Sequence, residues 1–230
     1  MNPSLGRRFL AEGLGTALLV AIGTGAIVLA ARSGGVPQWE LALAWFFAVL
    51  VPIVLFIGIS GAHLNPAVTL GLAASGRIAW AEVPEYVLGQ FAGAFLGSAG
   101  VAISLGTEAH LGSTLPSTST FTAFVAEATF TAALIAAVFI LADRGEGRFR
   151  WRLALPPLVV GVSTYLIGPL TGSSLNPART IAPAVLSGSF ADLWLYLVSV
   201  PLGALVIALA WRPRSVDRRD RGPGRLEVDR

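Results

Sequence analysis

Two asparagines occupy the positions from which this chain could do chemistry. Asn65 and Asn176 each open an Asn-Pro-Ala triplet, 111 residues apart, and the flanks match as well. Gly61-Ala62-His63-Leu64-Asn65-Pro66-Ala67-Val68-Thr69 stands against Gly172-Ser173-Ser174-Leu175-Asn176-Pro177-Ala178-Arg179-Thr180. Asn is a strong N-cap and Pro fits the first helical position, so each copy signals a helix start. Each start sets roughly half a positive charge beside a carboxamide. The asparagines are caps alone, or caps that also present amide donors to whatever passes. If they face each other, the chemistry is hydrogen bonding to neutral solutes with cations and protons repelled; no bond is made or broken.

Five further residues join them. Arg179 lies one turn into the second helix, where the first copy has Val68, and a charge guarding a polar constriction fits that place. His63, two before Asn65, reads as a structural donor, and His110 in the polar segment 106–120 as surface. Glu12 and Glu127 sit at matching places in Ala11-Glu12-Gly13-Leu14-Gly15-Thr16 and Ala126-Glu127-Ala128-Thr129-Phe130-Thr131. As acids in apolar segments they are a proton relay or ion ligand, or acceptors for loop N–H groups that would otherwise go unsatisfied in the membrane; one acid per copy favours the second. No Ser/His/Asp set, paired-carboxylate cleft or phosphate loop occurs, so nothing supports an enzyme. Cysteine is absent and histidines number two, which excludes thiol chemistry, disfavours a metal site and implies no cofactor.

The elements that must hold these residues are membrane helices. The chain has 230 residues, 54% hydrophobic and 13% charged, with a mean hydropathy of +0.72. An average soluble domain is nearer a quarter charged. Six stretches are long enough to span the hydrocarbon, at about 10–31, 40–59, 83–105, 121–142, 153–169 and 191–211. Residues 61–75 and 172–187, which carry the triplets, are apolar but too short to cross, and read as re-entrant half-helices. Each repeat, about 9–105 and 121–211, then has three crossings and one half-helix. The odd number inverts the second copy, and the two Asn ends meet near the midplane. Gly89, Gly93 and Gly97 recur every fourth residue, a spacing for close helix packing. The expected fold class is all-α, with one membrane domain over 1–211.

Charge sets orientation and narrows the partners. All sixteen basic residues are arginine; seven lie in 212–230, and only Arg32 falls on the opposite side from the other loop arginines. The positive-inside rule puts both termini in the cytoplasm of a multi-pass protein of the cell membrane. Residues 212–230 mix Arg with Asp and Glu and read as a disordered polar tail, so no nucleic-acid partner is implied despite a pI near 10.2. The partners expected are membrane lipid, water and small neutral solutes.

Taken together, Ala11-Glu12, Ser60 through Thr69, Glu127 and Asn176-Pro177-Ala178-Arg179 resemble the major intrinsic protein family, the aquaporins and aquaglyceroporins, from about residue 9 to 211. The resemblance implies six helices with two half-helices, a homotetramer with one pore per protomer, and passive permeation of uncharged solutes with proton exclusion. It also implies an outer filter of four positions. Ungapped counting from the two triplets assigns these to Trp45, Thr164, Ser173 and Arg179, with Phe46 and Tyr165 as the neighbouring choices. Water-specific members carry Phe and His where this chain has Trp45 and Thr164. Trp45 is similar to the glycerol-channel choice, whereas Thr180 replaces the Asp of enteric-type glycerol channels, and Ala184, Tyr196 and Leu197 fit neither group. The mixture resembles plant nodulin-like channels and their bacterial relatives, which pass water, glycerol and neutral metalloid acids. Two alternatives stand beside that expectation: a water-selective pore, and an ion-coupled secondary transporter using Glu12 or Glu127.

Overall fold

Helices α1 (Leu5–Arg32), α2 (Gln38–Ser60), α4 (Val83–Leu105), α5 (Thr120–Ala142), α6 (Leu155–Thr171) and α8 (Leu193–Ala210) build the frame, with α3 (Pro66–Ala74) and α7 (Pro177–Ser187) between them. The computed structural model describes residues 5–143 and 150–211, and within them all regular structure is helical. The tail at 212–230 lies outside the described residues. Six helices among the described residues are long and apolar enough to cross a membrane. The α-helical parts of the last two, α6 and α8, begin later than the sequence pattern suggests. Leu155-Pro156-Pro157 starts α6 because proline is admitted in a first turn, and a 3-10 turn at Arg150–Ala154 precedes it. Asp192, in the left-handed region with φ 52, separates α8 from the turn before it.

The two halves repeat one packing scheme. α1 packs on α2 and α4, α5 packs on α6 and α8, and α2 meets α6 where the halves join. The closest approaches rest on glycine. A Cβ on Gly93 would stand 2.0 Å from the Gly13 carbonyl oxygen, and one on Gly203 would stand 2.1 Å from that of Ala128. Backbones pressed this close make dense van der Waals contact, the main attraction between helices in lipid.

Each half-helix is also lodged against the opposite half. Ala178 and Ala182 of α7 join the core of Leu19, Trp45, Val49 and Leu64, while Ala67, Val68 and Leu72 of α3 join that of Leu134, Ile135 and Leu175. At nine and eleven residues these helices are too short to persist alone. Tertiary contacts therefore stabilise them, and the exchange locks the two repeats into one unit.

Candidate functional site

Two loops of unusual backbone lead into the half-helices. Gly61 and Gly172 end α2 and α6 in the left-handed region, at φ 86 and φ 77. Ala62 and Leu64 follow at φ 50 and 55, and Ser173 and Leu175 at φ 47 and 52. A non-glycine residue in this region costs on the order of 1 kcal/mol or more, so four such residues persist only where their surroundings over-determine them. The two buried glutamates supply that determination. Glu12 Oε1 accepts from Ser60 Oγ at 2.6 Å and His63 N at 2.9 Å; its Oε2 accepts from Leu64 N at 2.7 Å and Gln90 Nε2 at 2.8 Å. Glu127 Oε1 accepts from Thr171 Oγ1 at 2.7 Å and Ser174 N at 2.9 Å, and its Oε2 from Leu175 N at 3.0 Å. Both glutamates are 0% exposed. Their oxygens are spent on the loops, which is the geometry of a backbone support.

The asparagines cap and cross-link. Asn65 Oδ1 accepts from Ala67 N at 2.8 Å, and Asn176 Oδ1 accepts from Ala178 N at 3.0 Å. Each Nδ2 donates to the other half: Asn65 to the Leu175 carbonyl at 2.7 Å, Asn176 to the Leu64 carbonyl at 2.9 Å. The half-helix N-termini therefore face one another. A carboxamide nitrogen has two N–H groups, so each asparagine keeps one donor beyond this tie.

Beyond the asparagines a cavity of about 300 Å³ is lined by Trp45, Thr164 and Arg179, together with Gln38, His110 and Gly172. Arg179 Nη1 donates to the Gly112 carbonyl at 2.9 Å and Nη2 to the Gly172 carbonyl at 3.0 Å. Its guanidinium carbon lies 4.6 Å from the centre of the Trp45 ring. Neither ion pair among the described residues, Arg8–Glu82 or Arg77–Asp143, involves Arg179, so its charge is held by carbonyls and an aromatic face. Thr164 Oγ1 donates back to the Val160 carbonyl at 2.9 Å. Of the neighbours, Tyr165 is 53% exposed on the outer surface of the helix bundle, and the Phe46 ring packs edge-on against Phe47. Ser173 stands apart from the other three: it is buried, its Oγ 2.9 Å from Ser163 Oγ, and Gly172 reaches the cavity in its place.

Other residues gain contacts that the sequence did not specify. His63 stacks on Tyr86 at 4.2 Å between centroids and lies 3.2 Å from Thr69 Oγ1 through Nδ1. Tyr86 OH donates to the Ser60 carbonyl at 2.7 Å, and Tyr196 OH to the Thr171 carbonyl at 2.6 Å. Tyr196 is thus tied to the loop of the second half as Tyr86 is to that of the first. The matched spacing of Tyr86 and Tyr196 was the signal available for this. His110 is exposed, as expected for surface, yet it also borders the cavity, with Nδ1 2.9 Å from Ser189 Oγ. Three successive left-handed residues, Ala109, His110 and Leu111, turn it there ahead of Gly112, and none of the three is a glycine.

Known proteins match this chain over most of its length. The family model described as Major intrinsic protein covers residues 1–211. Aquaporin NIP1-1 of Zea mays is 37% identical over 213 residues, with 89% of this chain and 73% of the relative covered. The Glycerol uptake facilitator protein of Pseudomonas aeruginosa is 37% identical over 215 residues, with 81% and 76% covered. Among solved structures, that of the aquaglyceroporin from Plasmodium falciparum superposes with a TM-score of 0.80 at 28% identity, over 92% of this chain and 97% of that one.

Proposed function

Because this chain belongs to the major intrinsic protein family, we propose that Trp45, Thr164 and Arg179, with Ser173 beside them, select which solutes enter its pore. As a member it is a multi-pass membrane protein and a passive channel for water and small solutes such as glycerol, without enzymatic chemistry. The observation that carries the filter reading is the juxtaposition of three unlike side chains on one cavity, with the guanidinium 4.6 Å from the indole. A polyol needs such a ring. Arginine donors hold its hydroxyls, the indole face receives its carbons, and Thr164 adds bulk without an imidazole donor.

The next station is Asn65 and Asn176. Two opposed helix ends and the spare carboxamide donors orient the oxygen of a passing molecule while repelling cations and protons. Neutral metalloid acids, which present hydroxyls as a polyol does, belong to the same substrate class. The carboxylates of Glu12 and Glu127 are fully buried and accept four and three hydrogen bonds, with both oxygens of each tied to the loop, which speaks against ion coupling. The rest of the reading is a homotetramer in the cell membrane with both termini cytoplasmic, one channel domain over 1–211 built of repeats about 9–105 and 121–211, and a polar tail at 212–230.

Proteoliposomes under an osmotic step test this directly. Light scattering with water, glycerol, urea and arsenite should show flux well above empty vesicles for water, glycerol and arsenite, with no dependence on a proton gradient. Shrinkage no faster than in empty vesicles, or flux that collapses with the gradient, would remove the proposal. Water entry alone would favour the water-selective alternative.

A further inference from the structure

Gln38 opens α2, seven residues ahead of Trp45 and therefore on the same helix face. Its Nε2 donates to the Thr164 carbonyl at 2.6 Å, from a residue 126 positions away. That bond crosses from the helix carrying the indole wall to the helix carrying the opposing Thr164 wall. The Thr164 hydroxyl does not add to that link, because it is turned to Val160 on its own helix. One turn further along α6, a Cβ on Gly168 would lie 2.8 Å from Gln38 Nε2. Glycine at that position leaves the space in which the carboxamide sits. Gln38 and Gly168 both border the cavity with Trp45, Thr164 and Arg179.

We infer that Gln38 is a positioning residue for the filter: its carboxamide is a strut between α2 and α6 that sets the separation of Trp45 and Thr164, and hence the largest polyol admitted. The inference rests on the filter reading above. A strut at the rim acts on the size limit more than on folding, since α2 and α6 remain packed along their length without it. Two substitutions remove it by different routes. Gln38→Ala deletes the carboxamide, whereas Gly168→Ala keeps it and displaces it from the Thr164 carbonyl.

The experiment measures glycerol and erythritol entry into proteoliposomes for the full chain and both variants, normalised to channel protein. The erythritol-to-glycerol ratio should rise about five-fold in each variant, the equivalent of one net hydrogen bond. Thermal unfolding in detergent should stay close to that of the parent, which separates a changed limit from a damaged fold. A ratio that stays at the parent value in either variant, while glycerol still passes, overturns the strut. A parent chain that passes no glycerol overturns the filter reading and the strut with it.

Discussion

The two halves of the molecule build the same loop from different side chains. In the first, Glu12 accepts four hydrogen bonds, the fourth from Gln90, which also donates to Thr69 Oγ1 at 2.9 Å. In the second, Glu127 accepts three. Val200 stands at the place of Gln90, and the hydroxyls of Ser174 and Thr180 pair at 2.5 Å where the first half has His63 and Thr69. Both solutions give left-handed residues at matching places and an asparagine aimed at the opposite loop. The backbone is the shared product, and the side chains are free to differ behind it. They differ most at the pore. Arg179 of the second half is lodged between two carbonyls, whereas its counterpart Val68 of the first is packed into the apolar core with Leu134, Ile135 and Leu175. Support is thus duplicated, while the buried guanidinium belongs to one half.

The largest test of that division is the helix contact common to both halves. Gly93→Leu and Gly203→Leu should each abolish folded protein on size-exclusion chromatography, because a carbonyl already occupies the space of the first added carbon. Survival of one but not the other would break the equivalence of the halves. Glu12→Leu and Glu127→Leu come next. Each leaves buried N–H groups without acceptors, so each should lower stability by about 3 kcal/mol or more, with Glu12→Leu the worse. Equal losses in thermal unfolding would mean that Gln90 contributes nothing to the first support. A smaller effect belongs to Gln90→Leu, which touches only the first half. It should cost about 1 kcal/mol and leave the glycerol-to-water permeability ratio where it was.

Much of this arrangement was legible in the chain. The duplicated triplets, the matching acids and an odd number of crossings per repeat lead to opposed half-helices, because each is a strong local signal read at a fixed spacing. Lipid reinforces them by forbidding unsatisfied backbone. Glu12 and Glu127 were legible as loop supports for the same reason. Gln38, Gln90 and the place of His110 at the cavity were not. Gln38 and Gln90 make contacts 126 and 78 residues distant, and His110 is turned by a left-handed run that includes three non-glycine residues. Ser173 shows a subtler limit. Counting along the chain groups it with Trp45, Thr164 and Arg179, but only the folded loop shows its hydroxyl turned to Ser163 and Gly172 bordering the cavity.

The central claim is that solute choice lies with the walls around Arg179 and not with the paired asparagines. It is tested most directly by Trp45→Phe combined with Thr164→His, measured by light scattering in proteoliposomes with water and glycerol side by side. A narrower ring with a new donor should reduce glycerol permeability about ten-fold or more while water permeability persists, a change on the order of 1.4 kcal/mol in relative barrier. An unchanged glycerol-to-water ratio in a folded double variant would contradict the assignment of Trp45 and Thr164.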